Sequence, residues 1–160
     1  RSPIHSLHMN ALLKTYPDAR FVITHRQAEK VLPSICSLII LLRNCFLKNP
    51  EPIALGKRQV KQWELALRRL IEFRESLGEQ RFFDIYHSEQ TMDPEPGLRK
   101  LYEVLGWKFS EDFASDLTTW QQNNPKGQHK TDPSAFGLDL DAIQQRFGFY
   151  NDRFGDRMSQ

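Results

Sequence analysis

The fold is decided by the stretch Tyr16-Pro17-Asp18-Ala19-Arg20-Phe21-Val22-Ile23-Thr24-His25-Arg26 and the residues that follow it to Ser34. Pro17 and Asp18 carry turn chemistry and end whatever helix precedes them. Phe21-Val22-Ile23 is a short β-branched and aromatic run bounded by Arg20 and Thr24, the pattern of a buried strand. The strand runs straight into His25-Arg26 and then into a helix. In open α/β sheets ligands lie outside the carboxyl ends of the strands, so Arg26 stands where a site belongs. A guanidinium there can grip a phosphate with two parallel hydrogen bonds. Ser34 follows eight residues later, in or near the first turn of the next helix. Its hydroxyl and the free backbone N–H groups of that helix end favour an anion. The same spacing also suits an Arg paired to a surface carboxylate and a Ser that merely caps or packs.

Working outward, residues 5–16 place His5, Met9, Leu12, Leu13 and Tyr16 at helical spacing. A second helix is predicted over about 30–47. Pro33 is tolerated only in a first turn, so this helix should begin near Lys30 to Leu32 or be kinked there. Residues 49–56, with Pro50 and Pro52, read as a loop, and a long helix is predicted over 57–77. Val60, Trp63, Leu67, Leu70 and Leu77 mark its apolar face, Arg68 and Glu72 form an i,i+4 pair, and Gly78 ends it. Phe82-Phe83-Asp84-Ile85-Tyr86 is the second strand. A helix at 95–105 is opened by Pro96 and closed by Gly106. Ser110 caps a helix bearing Phe113, Leu117 and Trp120, residues 123–134 are a loop, and Asp139 caps a last helix with Ile143, Phe147, Tyr150 and Phe154 on one side. Trp63 and Trp120 are read as core or inter-helix residues.

Alternation of helices and strands predicts an α/β layered domain. Two strands are too few to fill such a sheet, so further strands are expected in a part preceding Arg1. The opening Arg-Ser-Pro-Ile-His, with no Met and no signal peptide, reads like the middle of a protein. The expectation is a single domain over 1–160, truncated at its N-terminus.

The 160 residues are 39% apolar, enough for one core, and carry a net charge of +2. That small surplus without a basic tract argues against a nucleic-acid binder. The strongest apolar run, Ile35 to Leu42, is far shorter than the roughly 20 residues of a membrane span, so no membrane segment is expected. Cys36 and Cys45 lie about half a turn out of phase on one helix and cannot bond to each other. Both are read as buried free thiols, which points to a reducing compartment and hence the cytoplasm. His5 and His8 have the spacing of a metal pair but no Cys or carboxylate partner nearby in sequence, so no metal is expected.

Four blocks in order give the chain a resemblance to the sulfotransferase family. They are Arg1-Ser2-Pro3-Ile4-His5, then Tyr16 to Arg20 with the strand and His25-Arg26, then Phe83-Asp84-Ile85-Tyr86 with Met92-Asp93-Pro94, and finally His129 with Phe136-Gly137-Leu138. The resemblance implies a helix-rich part of a P-loop-NTPase-like three-layer fold with a mainly parallel sheet. It implies transfer of a sulfuryl group from 3′-phosphoadenosine 5′-phosphosulfate (PAPS) to an acceptor hydroxyl or amine, on a small molecule or a glycan. By the same resemblance Arg26 and Ser34 clamp the 3′-phosphate, and Tyr86 lies near the adenine. Lys126 and His129 close over the nucleotide, Arg1 adds positive charge, and His5 is the base. The bland alternatives are a packed His5 on an apolar helix face and a core Tyr86.

Two departures matter. The family's Arg-Asp-Pro is Arg26-Gln27-Ala28 here, which loosens the expected clamp. The family's glycine-rich 5′-phosphosulfate loop does not occur in these residues, so the chain is expected to be the C-terminal two-thirds of a sulfotransferase domain, or a degenerate relative, and not a competent catalyst alone. A P-loop small-molecule kinase-like protein and a non-catalytic helical interaction module remain as alternatives.

Overall fold

The computed structural model describes residues 3–46, 51–124 and 131–158. In chain order these form a 3-10 turn (Pro3–Leu7), α1 (Met9–Thr15), β1 (Phe21–His25), α2 (Ala28–Asn44) and α3 (Pro52–Leu77). A 3-10 turn (Glu79–Arg81), β2 (Phe82–Tyr86), α4 (His87–Met92), α5 (Glu95–Leu105) and α6 (Glu111–Asn123) follow. A 3-10 turn (Pro133–Phe136), α7 (Leu140–Arg146), α8 (Gly148–Phe154) and a last 3-10 turn (Gly155–Arg157) complete it. The strands are parallel and in register, from Phe21 opposite Phe82 to His25 opposite Tyr86. A parallel pair needs a long crossover, which α2 and α3 supply. This is the helix-rich, parallel-sheet α/β architecture expected from the sequence.

The core joins α2, α3 and the C-terminal helices around the strands. Leu32 and Phe147 are 0% exposed and Leu55 is 1% exposed. Burying each such side chain stabilises the fold by about 1.5–3 kcal/mol. The last turns of α2 leave Leu38, Leu41 and Leu42 exposed, as is Phe46 just beyond it. Among the described residues no helix is long and apolar enough to cross a membrane.

Several local expectations are corrected. The helix expected over 5–16 divides into the first 3-10 turn and α1. Helix α2 starts at Ala28, with Pro33 inside it. The Gln27 carbonyl accepts from the N–H groups of Lys30 and Val31, and Glu29 adds an acid to the first turn, so the start is set before the proline is reached. Helix α3 starts at Pro52, because proline suits the first helical position. The last helix breaks at Phe147-Gly148, although its Asp139 cap holds, accepting from the N–H groups of Asp141 and Ala142 at 3.0 and 3.1 Å. Helix α4 was not foreseen. Trp120 is exposed, and Arg68 pairs with Glu64 at 3.0 Å, not with Glu72. Cys36 is buried and its thiol is pushed up to about 11 by burial, whereas Cys45 is exposed.

Helix α3 meets the Pro133–Phe136 turn at Gly56, where an added Cβ would lie 2.1 Å from the Phe136 carbonyl oxygen. Gly56→Ala is therefore expected to cost about 1–3 kcal/mol by overpacking, read as a fall in thermal midpoint. An unchanged midpoint would contradict this close approach.

Candidate functional site

The carboxyl end of β1 is built around His25, which is 0% exposed. Its Nε2 lies 2.8 Å from Asp84 Oδ1 and its Nδ1 lies 2.6 Å from the Tyr150 hydroxyl. Asp84 sits in the middle of β2, and Arg74 in the last turn of α3 donates a fork to it, at 2.7 and 2.8 Å. The Arg74 Nε also donates to Glu79 at 2.6 Å. The His25 ring stacks on Phe154, Tyr86 and Tyr150 at centroid distances of 4.3, 5.0 and 5.7 Å. Arg157 lies over the Tyr86 ring, 4.2 Å from its centroid. The C-terminal segment thus covers the ends of both strands.

Electrostatics fix the charges of Asp84 and Arg74 and keep the Tyr150 phenol neutral. Burial alone would raise the Asp84 carboxyl, but hydrogen bonds from His25 and Arg74 outweigh it and hold the group well below the usual carboxylate range. An ionised Asp84 only accepts, so His25 Nε2 carries the hydrogen it donates. Burial pushes the Tyr150 phenol far up, so its hydroxyl stays protonated and pairs with Nδ1 of His25. Burial opposes the charge on Arg74, but its hydrogen bonds to Asp84 and Glu79 prevail and raise it further.

Beside this network lies a cavity of about 640 Å³, bounded by the first 3-10 turn, α1, β1, α2 and α3. Four consecutive residues of β1, Phe21 to Thr24, line it. Since side chains alternate along a strand, the edge of β1 faces this space. Ile35 and Ile39 of α2 and Trp63 of α3 give it apolar walls. His5, Arg26 and Tyr150 also line it. Among the described residues, no group of three or more His, Cys, Asp or Glu is placed to hold a metal ion.

The cavity therefore brings together two of the site residues expected from the sequence, His5 and Arg26. His5 is exposed on the first 3-10 turn, not packed on an apolar helix face. Arg26 is exposed and has neither an ion pair nor a hydrogen bond among the described residues, so it is not the arm of a surface salt bridge. Ser34 is exposed on the second turn of α2, away from the free N–H groups of the first turn, and is not part of the cavity wall. Tyr86 is 5% exposed within the His25 stack. Arg1, Lys126 and His129 lie outside the described residues. His25, Asp84, Arg74 and Tyr150 were not singled out as a group. Their signal is an aspartate between Phe83 and Ile85 in an otherwise apolar strand, which demands a partner.

The carboxylate contribution has a sign. Because the folded-state value is depressed, Asp84 contributes stability above the ordinary aspartate range near pH ~4, and this is lost as pH falls toward the folded value. Asp84→Ala is expected to cost about 3 kcal/mol near neutral pH, the lower end for breaking a buried pair, since Asp84 keeps 18% side-chain exposure. The wild-type advantage should shrink in acid unfolding curves below pH ~4. A difference that persists unchanged into acid would contradict an ionised Asp84.

The sequence profile described as the sulfotransferase family matches residues 1–111. Over 157 residues the chain is 29% identical to the omega-hydroxy-beta-dihydromenaquinone-9 sulfotransferase Stf3 of Mycobacterium bovis, and equally to that of Mycobacterium tuberculosis. That alignment covers 97% of this chain and 40% of the relative. The crystal structure of sulfotransferase STF9 from Mycobacterium avium superposes with a TM-score of 0.86 at 28% identity, over 95% of this chain and 40% of that one. Sulfotransferase STF1 from Mycobacterium tuberculosis shares the fold, with a TM-score of 0.77 at 24% identity over 92% of this chain and 38% of that one. The chain thus spans 40% of the length of the curated relatives it matches. On the profile match across residues 1–111, the chain belongs to the sulfotransferase family.

Proposed function

We propose that this site serves sulfuryl transfer from PAPS to an acceptor hydroxyl. The observation that carries the proposal is Arg26, a guanidinium on the cavity wall at the carboxyl end of β1 with no partner among the described residues. An unpaired arginine at that place in an α/β sheet is fitted to a phosphate. Arg26 is the clamp for the 3′-phosphate, with Ser34 as a further contact from α2. Tyr86 is assigned to the adenine, for which its burial leaves only a small edge. Lys126 and His129 are assigned to closing over the nucleotide.

The donor supplies an activated sulfuryl group on a phosphate leaving group. The residues of this chain hold and orient. Arg26 fixes one end of the nucleotide, and positioning alone is a large part of the catalysis of such transfers. His5 takes the proton that the acceptor hydroxyl gives up as its oxygen bonds to sulfur; imidazole is the side chain suited to that task near neutral pH. Of the acceptor classes, an apolar alcohol is favoured over a glycan by the relative that the chain matches over 97% of its own length. The hydroxylated menaquinone derivative named for Stf3 is an acceptor of that kind. The exposed free thiol of Cys45 is in keeping with a reducing, cytoplasmic location.

Calorimetric titration with adenosine 3′,5′-bisphosphate, the spent donor, tests the clamp. Saturable binding is expected, weakened by about 1.5–3 kcal/mol in a folded Arg26→Ala variant, the scale of a hydrogen bond to a charged group. Equal affinity in the two proteins, or no binding by the folded wild type, would contradict the proposed role of Arg26.

A further inference from the structure

We infer that Tyr150, acting through His25, is a positioning residue for the Arg26 guanidinium, so that the C-terminal segment governs how well a 3′-phosphate is held. The inference rests on Arg26 being the phosphate clamp. Arg26 has no side-chain partner of its own among the described residues, and a free arginine loses substantial rotamer entropy on binding. How well it preorganises therefore depends on how firmly its backbone is held. The preceding residue does that holding. His25 is the last residue of β1, fully buried, tied at both ring nitrogens and stacked on three aromatic rings.

The two ties differ in origin. The Nε2 tie runs to Asp84 and is braced by the Arg74 fork. The Nδ1 tie comes from Tyr150, 125 residues away in sequence, on a helix that makes its own core contacts. Tyr150 also lines the cavity that holds Arg26. Its ring packs against Phe154 and His25 whether or not it bears a hydroxyl. The hydroxyl is thus the part of Tyr150 that orients the imidazole. Without it, Nδ1 loses its partner in a dry site, the ring keeps only the Asp84 tie and its stacking, and the end of β1 that presents Arg26 is held less firmly.

The test compares adenosine 3′,5′-bisphosphate with adenosine 5′-monophosphate, both titrated against the same chain. The wild type should prefer the bisphosphate, and Arg26→Ala should abolish that preference. Tyr150→Phe should cut the preference by about fivefold, the scale of one hydrogen bond, with affinity for the monophosphate little changed. His25→Gln, whose amide can still donate to Asp84 but cannot reach Tyr150, should show the same loss and serves if the first variant fails to fold. Ile143→Val, a core change on α7, should lower the thermal midpoint without altering the preference. A folded Tyr150→Phe or His25→Gln variant that keeps the wild-type preference overturns the positioning role while leaving the clamp intact. A preference lost equally in Ile143→Val assigns the effect to general stability and also overturns it. A wild type that shows no preference overturns the clamp, and the positioning role with it.

Discussion

A carboxylate inside a strand is the constraint on which the rest of this structure depends. Asp84 cannot be left unpaired between Phe83 and Ile85, because an isolated charge in that setting is costly. Its two oxygens take the Arg74 fork, and one of them also takes His25. Each partner fixes a different element. Arg74 fixes the last turn of α3, and Gly78, with φ of 89°, then turns the chain so that Glu79 comes back onto the same guanidinium. His25 fixes the end of β1 in register with Tyr86. Strand pairing, the end of the crossover helix and the docking of the C-terminal helices all converge on this one group.

From this follows a division of labour between two adjacent residues. His25 is sealed and tied from both sides, and Arg26 is exposed and has no side-chain partner among the described residues. Parallel strands point successive side chains to opposite sides, so a strand end can anchor with one residue and present the next. The cost of desolvating a buried ion pair is rarely recovered as stability alone. Here the network also adjoins Arg26 at the wall of a cavity, the guanidinium proposed as the phosphate clamp.

What the sequence made legible were features encoded by near neighbours. Both strands, the Ser110 and Asp139 caps and the Gly106 stop rest on a few consecutive residues and form where expected, although β1 is not the buried strand its apolar run predicts, since Val22 and Thr24 are exposed. Helix starts were harder, because Pro33 and Pro52 look alike in sequence. One lies inside α2, whose start is already set at Gln27 by the bonds its carbonyl accepts from Lys30 and Val31, and the other begins α3. The four-residue network was the least legible part. Its contacts join residues 59 and 125 positions apart, and no local pattern encodes that. Tyr150 and Phe154 were visible only as an apolar stripe, and Tyr86 as a strand-end aromatic, until the fold brought all three onto one imidazole. His5 and Arg26 were legible as candidates from the motif order, whereas their sharing of one cavity wall was not.

The most direct measurement is a crystal structure of this chain with adenosine 3′,5′-bisphosphate bound. The 3′-phosphate should lie within hydrogen-bond distance of the Arg26 guanidinium, with the His25 ring still held between Asp84 and Tyr150. A nucleotide bound with its 3′-phosphate elsewhere and Arg26 in solvent would contradict the role assigned to this site.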